Sequence, residues 1–323
     1  MEKNKTRKYF KYAIGEIVLV VLGILIALQI NNWNTKNANE KEAYNQLLEV
    51  QKEILVNLPQ INNQGDGYYE RLRNVRRVFA DTLDIKDYQK NPSIAQIMRG
   101  YGSLNFRTEA FNNLVKNADN LPEKYKPLIV KIKHLYDTEL VQVTFKELFR
   151  LSSNYTDEFI QDYLASIYRS EQDDYYKFLL TSKDYKNKLA MYASHLRDIS
   201  GDLISKKYFA IEIYKEMVAL GFPDKGKSII AKMYIDSNTE NTKPFIGSYT
   251  NTKDTINIQF KNNHFFMNYT DSKRDFNLRL RDTSTINFNR RYFEFNNDKS
   301  IFYNVIQRNT SHQNWKKIEL KDD

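Results

Sequence analysis

The chain has 323 residues, 49 basic and 40 acidic side chains, a formal net charge of +9 and no cysteine. The missing cysteine excludes a disulfide scaffold, a thiol nucleophile and a Cys-ligated zinc. Hydrophobic residues make up 41% and aromatics 14%, enough for a packed core. Four of the nine net charges sit in the first twelve residues, so the remainder argues against nucleic acid as a partner.

Residues 1–12 form a basic tail, with Lys3, Lys5, Arg7, Lys8 and Lys11 against Glu2. Residues 13–30 read AIGEIVLVVLGILIALQI, with no polar side chain from Ile17 to Leu28. As a helix, Tyr12 to Ile30 is 19 residues. At ~1.5 Å per residue that is about 28 Å, against a hydrocarbon core of roughly 30 Å. This predicts a transmembrane helix over 13–30. A cleaved signal peptide is the competing reading. The apolar run exceeds the usual ~7–15 residues, and Ala27-Leu28-Gln29 makes a poor small-x-small cleavage site. The basic tail keeps the N-terminus in the cytoplasm and sends the remainder outside. Lys8, Lys11 and Tyr12 mark one membrane interface and Trp33 the other. Glu16 lies one turn inside and snorkels toward Lys8 and Lys11. Gly23 and Ala27 make a small-xxx-small pair, a candidate contact for a second membrane helix.

Beyond a polar juxtamembrane stretch, Leu47, Leu48, Ile54, Leu55, Leu58 and Ile61 recur at helical spacing. Asn62-Asn63-Gln64-Gly65-Asp66-Gly67 then reads as a turn. Tyr68, Leu72, Val75, Val78, Phe79 and Leu83 follow on another helical stripe, so the pattern predicts an antiparallel helical hairpin. Thr108 reads as a helix N-cap before Glu109, and Pro122 as a first helical residue. Further stripes run over 139–151, 155–170, 174–181, 184–199 and 205–220, the last capped by Gly221. Residues 224–235 make one more short helix.

The composition changes near Asn241. Alternating runs at 245–249, 255–260, 264–269, 276–280, 285–288, 292–295, 301–306 and 315–320 are separated by turn residues. Eight short strands at such spacing predict a meander closed into a small barrel or curled sheet. Tyr249, Ile256, Ile258, Phe260, Phe293 and Phe295 are its predicted inward residues. The fold class is therefore α+β: a transmembrane helix, an all-α bundle domain over 31–240, and a small antiparallel β domain over 241–323.

The run YFKYAIGEIVLVVLGILIALQINNWN, Tyr9 to Asn34, resembles the N-terminus of a family of uncharacterised single-span bacterial envelope proteins of Bacteroidetes type. Phe106 to Leu114 resembles that family's Thr-x-x-Phe-x-x-Leu helix start. Gly247-Ser248-Tyr249 and the strands after it are similar to small β domains appended to bacterial hydrolases. The resemblance implies a single-pass inner-membrane protein with its C-terminal domains in the periplasm. It transfers no activity and no catalytic residue.

The four histidines, His134, His195, His264 and His312, have no metal-ligand spacing. Neither a nucleophile elbow nor a phosphate loop occurs. Glu171, Asp173 and Asp174 lack the alternation of a calcium loop and read as a solvated helix end. No cofactor or metal is expected, and no catalytic residue is assigned. Two readings stand. One is a non-enzymatic interaction or scaffold protein that meets the lipid bilayer and another envelope protein or a second copy of itself. The other is a ligand-binding or sensing module using the β domain, whose strands around His264–Tyr269 and Arg290–Phe295 put alternate aromatics on two faces.

Overall fold

The structure is a computed structural model that describes residues 3–100, 102–118, 121–251, 253–272, 274–288, 291–304 and 314–318, with the backbone alone for residues 3–14 and Asn304. The fold is α+β. A long N-terminal apolar helix leads into a helical region, and a nearly closed barrel-like antiparallel sheet follows. The chain divides into two compact units, residues 1–53 with 107–134, and residues 54–106 with 135–323. Helix α1 (Lys3–Phe79) supplies residues to both.

In the first unit, α1 carries the apolar stretch, with Leu19 71% and Ile17 63% exposed. Among the described residues α1 is the one helix long and apolar enough to cross a membrane. Further along, Ala43, Leu47 and Val50 turn inward. Helices α3 (Glu109–Lys116) and α4 (Lys126–Tyr136) contribute buried Leu114, Leu128, Ile129 and Ile132. Thr108 does not cap α3 with its side chain. The cap comes instead from Glu53 on α1, whose carboxylate accepts from Ala110 N at 2.8 Å and Phe111 N at 3.2 Å. Pro122 precedes a short 3-10 turn at Glu123–Tyr125, so α4 begins a few residues later than expected.

The second unit corrects the predicted hairpin. No turn forms at 62–67; α1 runs on to Phe79. Leu58, Ile61, Tyr68, Tyr69, Leu72, Val75 and Val78 are all buried. Their stripe crosses the predicted turn without a break. Burial of such a face outweighs the ~3 kcal/mol of an interior proline such as Pro59 and the weak propensity of two glycines. Gly65 lies beside Leu203, where a Cβ would make an ordinary contact at 3.6 Å, so the helix does not turn there on steric grounds. The two stripes at 184–199 and 205–220 likewise merge into one helix, α8 (Lys183–Ala219). Leu196, Ile199, Leu203 and Ile204 carry its buried face past Gly201. The helix ends as expected at Gly221, φ +95°, with Phe222 N bonded to Met217 O at 3.1 Å and Gly221 N to Val218 O at 3.0 Å. That double bond pattern is a Schellman cap. Between these long helices lie α2 (Ile85–Lys90), α5 (Glu139–Tyr155), α6 (Leu164–Tyr168) and α7 (Asp173–Thr181), followed by the short α9 (Lys227–Ala231) and α10 (Thr239–Thr242).

The sheet has nine strands: β1 (Gly247–Thr250), β2 (Thr255–Lys261), β3 (His264–Tyr269), β4 (Phe276–Asn277), β5 (Arg279–Leu280), β6 (Thr285–Phe288), β7 (Arg291–Phe295), β8 (Ile301–Asn304) and β9 (Trp315–Ile318). All pairings are antiparallel, in the order β4-β3-β2-β1-β9-β8-β7-β6-β5. The two edges, β4 and β5, are halves of one run. Phe276 and Asn277 pair with Met267 and Phe266, while Arg279 and Leu280 pair with Asn287 and Ile286. The circuit is therefore a nearly closed up-and-down barrel of eight segments, as the strand periodicity predicts, with first and last strands joined through Ser248↔Ile318. The expected strands over 301–306 and 315–320 extend beyond the described residues.

An eight-segment barrel has an interior that side chains can just fill. Here rings fill it. Phe302 lies 4.7 Å from Phe295, 5.0 Å from Phe293 and 5.1 Å from Tyr249, and stacks on Trp315 at 5.7 Å. Tyr249 of the Gly-x-Tyr opening donates to Phe245 O at 3.0 Å and Lys299 O at 3.1 Å. Gly247 at φ +149° holds a conformation that side chains rarely adopt. Ile256, Ile258, Phe293 and Phe295 point inward as expected, and Phe260 is half-buried against them.

Candidate ligand cleft beside the sheet

Strand β7 alternates. Phe293 and Phe295 enter the barrel, whereas Tyr292 joins the helical core and Glu294 faces a cleft. Tyr292 meets Tyr69 of α1 ring to ring at 4.6 Å, and its hydroxyl bonds Ser200 Oγ on α8 at 2.6 Å. Near it, Tyr208 donates to Leu280 O at 2.6 Å. A tyrosine buries a large ring while its hydroxyl stays partnered. This explains how a chain with 23 tyrosines can bury so many of them.

The cleft encloses about 440 Å³ and is lined by Glu70, Arg73, Asn74, Arg76 and Arg77 of α1, by Asp87 and Asn91 around α2, and by Glu294 and Tyr303 of the sheet. At its base, Glu294 is 8% exposed. Tyr69 and Tyr303 each donate a hydroxyl to one of its carboxylate oxygens. Arg73 Nε adds an ion pair at 2.9 Å. Burial, then hydrogen bonding to Glu294, pushes the Tyr303 hydroxyl up to about 12. Burial and the Glu294 charge raise Tyr69 further still. Both phenols thus stay protonated donors at neutral pH. Burial opposes the charge of Arg73, but Glu294 and Glu70 outweigh it and raise its pKa.

Arg76 differs from its neighbours. Its guanidinium lies 3.3 Å from the centroid of the Tyr303 ring. Burial lowers its pKa, and the attraction of Tyr303 and Glu294 only partly offsets that. Arg77 makes a loose pair with Asp87 at 3.7 Å. Arg71, on another face, donates to Gly100 O at 2.6 Å. Leu83, which borders this cleft, also walls a second hollow of about 440 Å³, lined by Val78, Ile85, Tyr88, Leu179 and Leu180 and bordered by the Lys186–Asp81 pair at 2.6 Å.

The expected membrane residues stand elsewhere. Gly23 and Ala27 lie on α1 in the exposed apolar stretch, with open space around Gly23. Trp33 is 63% exposed. The side chains of Lys8, Lys11 and Tyr12 lie outside the described residues. His134 and His264 are exposed, His195 is half-buried, and His312 lies outside the described residues. Among the described residues no cluster of potential metal ligands occurs. Asp173 accepts from Gln89 at 2.8 Å and Asp174 pairs with Lys177 at 3.1 Å, an exposed helix start. Sequence reasoning passed over the cleft arginines and found no basic block. The signal was Arg71-Leu72-Arg73-Asn74-Val75-Arg76-Arg77, in which 73, 76 and 77 share one helical face.

A family of unknown function, DUF6090, matches residues 16–113. The matched stretch includes most of the apolar helix, Glu53 and the start of α3. It agrees with the resemblance to an uncharacterised family. No curated protein matches the chain, and no solved structure does.

Proposed function

We propose that this is a single-span protein of the bacterial inner membrane that holds a folded binding unit in the periplasm and acts there by interaction rather than catalysis. The observation that carries the reading is the exposed apolar stretch of α1. From Ile17 to Ile30 its large hydrophobic side chains are 48–71% exposed. A surface of that kind calls for lipid. The five basic residues ahead of it favour a cytoplasmic N-terminus. Gly23 and Ala27 offer a face for a second copy or another envelope protein, while Lys8, Lys11, Tyr12 and Trp33 fit the two interfaces. A reporter active only outside the cytoplasm, fused after Asp323, should be active. Mass spectrometry of the mature protein should recover residues 1–30. Activity of a cytoplasm-only reporter, or a mature N-terminus near Asn31, would overturn the reading.

A second reading, ligand binding by the β domain, is supported by the cleft that Glu294 and Tyr303 help to line. Its ligand site would lie outside the barrel, since aromatic rings fill the interior.

A further inference from the structure

The cleft acids are committed to partners already in place. Glu294 accepts from Tyr69, Tyr303 and Arg73. Glu70 sits on the same Arg73 at 3.1 Å. Asp87 caps α2 through Asp84 N at 3.0 Å and faces Arg77. Two acids thus converge on one arginine, and among the described residues no carboxylate lies within ion-pair distance of Arg76. Its guanidinium lies over the Tyr303 ring, which leaves the edge donors of the fork available to the cleft. The stack is itself held in place: Glu294 fixes the Tyr303 hydroxyl, and Tyr69 and Arg73 fix Glu294. Asn91 borders the same cleft, and its amide nitrogen donates to nothing among the described residues.

We propose that this cleft binds a phosphoryl group, with Arg76 as the principal ligand, Arg77 and Asn91 as further donors, and Glu294–Tyr303 as the positioning pair. The inference rests on the reading of the cleft as a ligand site and adds the class of ligand. Two guanidinia and an amide at different points of the wall offer more donors than a planar carboxylate uses. A tetrahedral phosphoryl oxyanion can engage them together. The group has two natural sources, free phosphate and a phospholipid headgroup; both present non-bridging phosphoryl oxygens, and glycerophosphate carries the glycerol ester of the headgroup.

The test uses the full-length protein in neutral detergent at low ionic strength, titrated by calorimetry with inorganic phosphate, glycerophosphate and acetate. Saturable binding of phosphate or glycerophosphate is expected, at least tenfold tighter than acetate. Tighter binding of glycerophosphate assigns the headgroup as source, and tighter binding of inorganic phosphate assigns the free ion. Arg76→Gln should weaken either by tenfold or more. Arg76→Lys should recover only part of that, because an ammonium keeps the charge without the fork. Tyr303→Leu, which removes the ring beneath Arg76 without changing the charge of the cleft, should weaken binding by a smaller factor, and Tyr303→Phe, which keeps that ring, should recover part of it, as a positioning role requires. Lys177→Ala, at an exposed side chain of α7 away from the cleft, should bind as the parent does. Circular dichroism shows whether each variant is folded, and Arg77→Gln gives a second reading of the site should Arg76→Gln unfold. Phosphate binding unchanged in both folded arginine variants overturns the proposal. Acetate binding as tightly as phosphate, and lost in Arg76→Gln, overturns the phosphoryl class but keeps the cleft. Binding of none of the three anions removes both and leaves the membrane reading to its own reporter test.

Discussion

The Glu53 carboxylate accepts a hydrogen bond from the backbone N–H of Ala110 at 2.8 Å, so a side chain from α1 starts α3. A helix N-terminus has unpartnered donors and a partial positive charge, and a carboxylate answers both. Both residues lie inside the stretch that matches DUF6090.

Glu53→Ala should lower stability by about 1–2 kcal/mol, the usual loss for a missing N-cap. Glu53→Gln should lose less, since its amide oxygen still accepts. Denaturant titration of the full chain in detergent, followed by helical circular dichroism, measures both. An unchanged midpoint for Glu53→Ala would mean that the cap contributes nothing.

The contact between Tyr292 and Ser200 makes a similar prediction in the second unit. Tyr292→Phe leaves the ring against Tyr69 but removes the hydroxyl bonds to Ser200 Oγ at 2.6 Å and Ser200 O at 3.2 Å. The expected loss is about 1–2 kcal/mol. Ser200→Ala should be non-additive with it, and a double-mutant cycle that sums without a coupling energy would refute the contact.

Lys207 is 3% exposed, and its ammonium donates to Asn62 Oδ1 at 3.0 Å. Burial lowers its pKa from 10.5 to about 8, with Asp66 opposing the shift. Between pH 8 and the unfolded value the unfolded chain holds a proton that the folded chain has released. Stability contributed by this residue therefore rises with pH across that window, by on the order of 3 kcal/mol. Above pH 10 the buried tyrosines, whose hydroxyls are raised in the fold, act in the opposite sense. The measurement is the difference between the parent and Lys207→Met from pH 7 to 10. It should move in favour of the parent as pH rises, and a flat difference would exclude the titration.

Ile258 is 0% exposed inside the barrel. Ile258→Asp should unfold the sheet, because a carboxylate among aromatic rings has no partner. Helical circular dichroism should largely persist. We expect limited proteolysis of the parent to cut first within 236–244 and to release a β-rich fragment. A helical fragment from 245–323, or collapse of all structure in Ile258→Asp, would reject a boundary at that point.

The sequence was most legible where its signal was local. Strict alternation, as in Thr255-Ile256-Asn257-Ile258-Gln259-Phe260, fixes which residues face inward, because a strand's side chains have a period of two. The apolar run of residues 13–30 needs no partner to be recognised. Gly221 was readable as a helix end because a positive φ is a demand of one residue on itself. Turn chemistry misled at 62–67 because Asn62 and Asp66 are polar for another reason. Within α1, Asn62 Nδ2 donates to Asp66 at 3.1 Å, and Asp66 pairs at 2.8 Å with Arg281, just after β5.

The sequence by itself determined the α+β class, the apolar N-terminal helix and the eight-segment meander, since periodicity and length are properties of neighbouring residues. Tertiary structure alone decided that α1 continues past Pro59, that Glu53 starts α3, and that Arg73, Arg76, Glu294 and Tyr303 line one cleft. More than two hundred positions separate Arg76 from Tyr303, which lies over its guanidinium. No pattern along the chain carries that distance; it follows from how the outer face of a barrel packs against helices.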